Sequence, residues 1–331
     1  MTYSRRSFVQ ISASVAASAA LVHPLYAASS PRIDTLKIIC GYPAGSPPDI
    51  VARQVGERIA GNYSKNVLVE NRTGAAGRIA VDALKTSAPD GSVMILTPAS
   101  VMTMYPHIYR QLSYNPLLDF AAVSVASDFS HSVAVGPMVP DSVRTAKEFL
   151  TWCGANPQKA TCGNPGAGSF PHFIAVLFER EGGAKLQHVP YRGTGPAVVD
   201  LIGGQIAAAV GPEGNFMPHI ESGKLRIIGM TDSKRSRFLP QFPTFVEQGF
   251  NTIQFREWLG FFMPGSAPID VVKPASVAVW QALSQKDLVV TFQKLGMESI
   301  YSSPDELTAK VKSEIDFWGT VIRPTGFTAD S

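Results

Sequence analysis

The chain is predicted to fold as a two-lobed α/β protein. Each lobe is a mixed, mostly parallel sheet flanked by helices, and two crossover segments form a hinge. Three observations predict this. Short apolar runs alternate with amphipathic helical stretches along nearly the whole chain, the pattern of sheets covered by helices. There are too many such runs for one ordinary sheet. The length of 331 residues is long for one core and comfortable for two.

The elements follow in order. Residues 36–40 read as a strand, and 49–60 as a helix with Ile50, Val51, Val55 and Ile59 along one side. Further strands are predicted at 67–69, 93–97 and 133–136. A helix over 145–155 stops before Asn156-Pro157, where proline disfavours helix in the preceding residue. Strand 161–163, helix 173–181, strand 188–191 and helix 197–202 come next. Runs 206–210 and 225–230 read as buried strands, 258–263 as a late strand, and 271–284 and 304–321 as late helices. The segments 124–130 and 249–257 are read as the two crossings. They divide the chain into one lobe of 32–127 plus 256–331 and a second lobe of 128–255. Two crossings make a hinge able to close on a ligand.

The first 28 residues are set apart as an export signal. Ser4-Arg5-Arg6-Ser7-Phe8 is a twin-arginine pattern, the apolar run 11–22 is too short to span a bilayer, and small residues surround Ala27-Ala28. The pattern predicts a periplasmic protein exported by the twin-arginine route. Hydrophobic residues are 45% and charged ones 17%, an ordinary globular balance that excludes a disordered chain. The net charge of +3 falls close to neutral once Arg5 and Arg6 are removed, and no Lys/Arg run remains. Nucleic acid and an anionic membrane surface are therefore excluded as main partners, and a monomer is expected. Of three cysteines, Cys40 reads as a core residue. Export permits a disulfide, and Cys153 and Cys162 are spaced either for a bridge or for two buried thiols. No Cys/His spacing reads as a metal site, and no cofactor is expected.

Three segments share one design, in which a strand leads through a turn of small residues into a helix. They are 41–49, 163–172 and 191–196. A helix start leaves backbone N–H groups unpaired and carries partial positive charge. Small residues let a ligand approach it. Such turns are ready anion sites at the carboxyl ends of strands. The candidate ligand residues are Tyr42, Ala44, Gly45, Ser46 and Asp49 from the first turn. The second turn supplies Gly166, Ala167, Gly168, Ser169 and His172, and the third Thr194. Ser46 and Asp49 are spaced as a capping box. Neither of the first two turns has Lys or Arg, which points to a carboxylate rather than a phosphate, and no Walker pattern follows. Glu213 follows an apolar strand and reads either as a cleft residue or as a solvated turn residue. Trp258 reads as core, under the cleft or in the hinge, and His131, His188 and His219 as ordinary polar or packed residues.

Enzyme signatures are poor. Gly166-x-Gly168-Ser169 is not a nucleophile elbow. Ser169 and His172, three apart at a helix start, suit a cap better than a nucleophile–base pair, so the chain is read as a non-enzyme. A hydrolase using this pair and a sensing subunit that signals to a membrane partner are the alternatives.

Together the motifs resemble the Bug-type receptors, the extracytoplasmic solute receptors of tripartite tricarboxylate transporters. The matching segments include Tyr42-Pro43-Ala44-Gly45 with Asp49, Val69-Glu70-Asn71-Arg72-Thr73-Gly74, Ala88-Pro89-Asp90-Gly91 and Gly166-Ala167-Gly168-Ser169 with His172. They continue with His188-Val189-Pro190-Tyr191-Arg192-Gly193, Asp200-Leu201-Ile202-Gly203-Gly204-Gln205 and Trp258-Leu259-Gly260. The resemblance implies a periplasmic-binding-protein fold of type II. It implies a passive receptor that clamps a small carboxylate, amino acid or related solute, with two integral membrane transporter subunits as partners. It also implies that the ligand's proximal carboxylate is gripped by the turns around 44–49 and 166–169, partly through water. This chain departs from the family pattern at Ser46 and Pro48, where glycine and a small hydroxylic residue are commoner, and at Ala76, where glycine is usual. Pro212-Glu213 stands where aspartate is often found.

Overall fold

A computed structural model describes residues 33–329. The export signal read in 1–28 lies outside the described residues. The chain opens with β1 (Ile33–Cys40), α1 (Pro47–Ile59), β2 (Ser64–Asn71), α2 (Arg78–Lys85) and β3 (Val93–Pro98). Two short helices, α3 (Ala99–Thr103) and α4 (Tyr105–Ile108), lead to β4 (Phe120–Phe129). Then follow β5 (His131–Val135), α5 (Ala146–Ala155), β6 (Thr161–Asn164), α6 (Phe170–Gly182), β7 (Gln187–Pro190) and α7 (Thr194–Ile202). After them come β8 (Ala208–Pro212), α8 (Met217–Ile220) and β9 (Arg226–Met230). The chain finishes with β10 (Glu257–Pro264), α9 (Ile269–Leu283), α10 (Lys286–Lys294), β11 (Glu298–Ser299) and α11 (Pro304–Ile322).

Two sheets result, ordered β11-β4-β10-β3-β1-β2 and β7-β6-β8-β5-β9. In the first, β10 runs against both β3 and β4, while β1, β2 and β3 are parallel. In the second, β5 runs against β8 and β9, while β6, β7 and β8 are parallel. Both are mixed sheets in which most strands share a direction. Helices cover them as the sequence period demands. In α1 the residues Val51, Val55 and Ile59 are buried against the sheet, each worth roughly 1.5–3 kcal/mol of burial. Helix α11 starts with a complete capping box between Ser303 and Glu306.

The chain changes sheet twice, between Phe129 and His131 and between Met230 and Glu257. The first change is tighter than the expected crossing at 124–130. Nearly all of that segment is strand β4, paired with β10 through a ladder that shifts register twice, and only Ser130 separates β4 from β5. A run of small and apolar residues looks like a connector in sequence, and the long-range partner makes it a strand. Helices α2 and α10 carry no assignment in the sequence reading. Trp258 is core, packed on Phe262 with its indole N–H on Glu314 at 3.0 Å.

Of the two readings of Cys153 and Cys162, the structure shows two buried thiols and not a bridge. All three cysteines are free and buried. Cys153 packs from the last turn of α5 and Cys162 from β6 into the same apolar cluster. Burial pushes both thiols up to about 12, so they behave as small apolar side chains.

Candidate functional site

The carboxyl ends of β1, β3, β4, β6, β7 and β8 meet around one cavity of about 270 Å³ between the two sheets. This is where ligands bind in open α/β sheets. Residues 42–48 contribute one wall, with Pro98, Ser100, Phe129 and Leu259 beneath. Pro165, Ser169, Phe170, residues 192–196 and Asn215 form the facing wall. His131 and Glu257 lie at the floor, where the two crossings run side by side.

The first turn is built differently from its expectation. Ser46 and Asp49 do not form a capping box. The Ser46 hydroxyl donates to the Pro43 carbonyl at 2.6 Å, and Asp49 instead accepts the Gly45 amide at 2.8 Å and the Asn71 amide group at 2.7 Å. Arg53 pairs with the same carboxylate. Burial pushes the Asp49 carboxyl up, but these hydrogen bonds hold it below the usual carboxylate range. Asp49 is thus a buried brace of the turn and does not line the cavity. The Ser46 amide bonds the Pro43 carbonyl. Pro47 and Pro48, the first two residues of α1, have no N–H to offer.

The second turn is also internally bonded. Gly166 donates to the Asn164 side chain at 3.1 Å, Gly168 to His172 Nδ1 at 3.0 Å, and Ser169 to the Gly166 carbonyl. The Ser169 hydroxyl caps α6 by accepting the His172 amide at 3.3 Å. His172 lies away from the cavity, its ring against His188 and Phe327 in a separate recess. Burial, with His188 adjacent, lowers its pKa to about 4. Its Nδ1 is engaged by Gly168, so it is no base for Ser169. Gly166 and Ala167 line a neighbouring recess that shares Tyr42, Pro43, Pro165, Arg192 and Gly193 with the cleft. Gly168 lines neither, and it sits at φ +76 where a Cβ would meet Tyr109.

The third turn differs. Gly193 donates to the Pro165 carbonyl at 3.2 Å, but the amides of Thr194 and Gly195 find no acceptor among the described residues. Thr194 lines the cavity and is 9% exposed. Glu213, by contrast, is turned out of the cleft. It is 1% exposed with one carboxylate oxygen unpartnered. Its turn is wedged against Leu295–Gly296, where Gly214 leaves no room for a Cβ beside the Leu295 carbonyl. Burial pushes the Glu213 carboxyl up to about 7.

Sequence reasoning missed the floor. His131 Nε2 bonds Glu257 Oε2 at 2.9 Å, and the Ser100 hydroxyl donates to Glu257 Oε1 at 2.8 Å. All three are buried. Behind them Arg256 ties the crossings together. It pairs with Asp128 at the end of β4 and with Asp232 after β9, and it donates to the Ser130 hydroxyl at 3.2 Å. The available signal was position, since His131 and Glu257 each flank a crossing. Among the described residues no group of His, Cys, Asp or Glu is arranged to hold a metal, and no helix is long and apolar enough to cross a membrane.

Comparison with known proteins agrees with this architecture. Residues 51–327 match the family described as the tripartite tricarboxylate transporter family receptor. Protein BugT of Bordetella pertussis is 29% identical over 311 residues, covering 94% of both chains. The periplasmic binding protein BugD superposes with a TM-score of 0.82 at 26% identity, covering 89% of this chain and 98% of that one. MatC from Rhodopseudomonas palustris, solved with bound malate, gives 0.80 at 26% identity, covering 88% and 99%. The fold is thus the two-lobed fold of periplasmic binding proteins, and the family is a receptor class rather than an enzyme class. The chain belongs to the tripartite tricarboxylate transporter receptor family.

Proposed function

We propose that this chain is a periplasmic receptor that closes its two lobes over a small carboxylate for a tripartite tricarboxylate-type transporter. The observation that carries the reading is the cavity between the sheets, which draws its walls from both lobes and its floor from the two crossings. A ligand touching both walls stabilises the closed form, because only differential affinity shifts such an equilibrium. MatC's malate supports a carboxylate as the ligand class. The lobes are 32–127 with 256–331, and 128–255, moving about the crossings that Arg256 braces. Two integral membrane subunits receive the ligand, the receptor itself is a monomer, and Arg5 and Arg6 direct export through the twin-arginine route.

The test is a thermal-shift screen of mono- and dicarboxylates beside sugars and cations. A ligand at a hundredfold excess over its Kd stabilises the fold by about 2.7 kcal/mol. Carboxylates are expected to raise the melting temperature. A shift produced by a sugar or a cation while every carboxylate is silent overturns the reading.

A further inference from the structure

We propose that the ligand is a monocarboxylate with an apolar body, its carboxylate at the N-terminus of α7 and its body between Phe129, Phe170 and Leu259. This rests on the receptor reading above and names the substrate class of the same cleft.

The anion pole follows from the amides. In the first two turns the amides of Gly45, Ser46, Gly166, Gly168 and Ser169 are engaged within the turns, Pro47, Pro48 and Pro171 have none, and the open amides of Ala44, Ala167 and Phe170 each stand singly between engaged or proline neighbours. At the start of α7, Thr194 and Gly195 keep theirs open. A helix start with open amides favours an anion. The Thr194 side chain adds an independent sign. It is more than nine-tenths buried, lines the cavity, and its hydroxyl has no protein partner among the described residues. Unpartnered but not sealed from the cavity, the hydroxyl is completed by whatever fills the cleft, a ligand or water. Arg192 stands beside it at the mouth, exposed and without an acidic partner among the described residues.

The rest of the cavity rejects a second negative charge. Phe129, Phe170 and Leu259 are buried there, and Pro47, Pro48 and Pro98 present rings rather than donors. The floor carries the Glu257 carboxylate, whose two oxygens are held by His131 and Ser100. A distal carboxylate would meet both apolar walls and a fixed like charge, and charges are costly to bury without a partner. His131 Nδ1 is buried and unpartnered, which leaves one hydrogen bond for a neutral hydroxyl on the far end of the ligand.

The experiment is calorimetric titration of the mature chain with benzoate, 4-hydroxybenzoate and cyclohexanecarboxylate, beside succinate and malate. The monocarboxylates are expected to bind at least about tenfold more tightly than either dicarboxylate, burial of a second, unpaired charge costing at least that much. Thr194→Val and Arg192→Gln are each expected to weaken benzoate by about tenfold, with folding checked by the melting temperature. Glu257→Gln is expected to narrow the gap between benzoate and succinate. Succinate or malate binding as tightly as the monocarboxylates overturns the ligand class and leaves the receptor reading intact. Failure of every carboxylate to bind overturns both. Tight benzoate binding untouched by Thr194→Val and Arg192→Gln overturns the placement of the carboxylate.

Discussion

The turn after β1 and the turn after β7 have the same grammar in sequence and opposite properties in space. Each leads from a parallel strand through small residues and proline into a helix. In the first, Asp49 reaches back to Gly45, and Ser46 bonds Pro43 through both its amide and its hydroxyl. Gly45 and Ser46 are thus engaged, Pro47 and Pro48 have no N–H, and Ala44 alone keeps an open amide at the cavity. In the other, proline waits until Pro196, and Thr194 and Gly195 keep their amides open toward the cavity. A helix N-terminus is therefore an anion site only where its donors are unspent by local partners and are not proline. The partial charge of the helix is common to both turns, and availability of the donors separates them.

The strongest way to break the comparison is to remove what holds the two turns face to face. Arg256→Met leaves Asp128 and Asp232 without their cation at the crossings. It should lower stability by about 3 kcal/mol in denaturant unfolding. A loss of less than half that would show that the crossings do not depend on this network.

A smaller effect concerns the contact between Glu213 and the Leu295–Gly296 turn. The folded carboxyl is raised to about 7 from an ordinary 4.5, so the neutral acid is the form the fold prefers. The sign follows from linkage. The contribution is complete below the lower value and is lost as pH rises through the upper one. Glu213→Gln should therefore gain about 2 kcal/mol over the native chain at pH 8 and little at pH 4. Equal pH profiles for the two proteins would contradict this.

The turns themselves give the next effect. Thr194→Val should cost about tenfold in carboxylate affinity, whereas Ser46→Ala should change it by less than about twofold, because that hydroxyl already serves Pro43. The reverse ranking in calorimetry would move the anion back to the first turn. Smallest is the effect of Ala76, which sits at φ +53 in the left-handed region, its carbonyl held by the Tyr105 hydroxyl. Ala76→Gly should stabilise the chain by roughly 0.5–1 kcal/mol, read as a small rise in melting temperature. Thiol titration of the unfolded, unreduced chain should count all three cysteines as free.

Much of the fold was legible because its signals are local. Pro47 opens α1 as proline at a helix start does, Ser303 caps α11, and the alternation of apolar runs marks two covered sheets. The three cleft turns were legible for the same reason. The floor was not, since Glu257 meets Ser100 and His131 across 157 and 126 positions of chain, and no spacing rule reaches that far. The direction of His172 was hidden too. Its place at the start of α6 is visible in sequence, whereas the Gly168 amide and the His188 ring that turn it away from the cleft are tertiary facts. Whether an amide is open depends on every neighbour that might accept it, so the most consequential property of the site was the least visible.

The most direct test is a crystal structure of the chain with bound benzoate. The account predicts carboxylate oxygens within hydrogen-bonding distance of the Thr194 and Gly195 amides, with the ring between Phe129 and Phe170. A carboxylate seated instead on the turn of Ala44, Gly45 and Ser46 would contradict it.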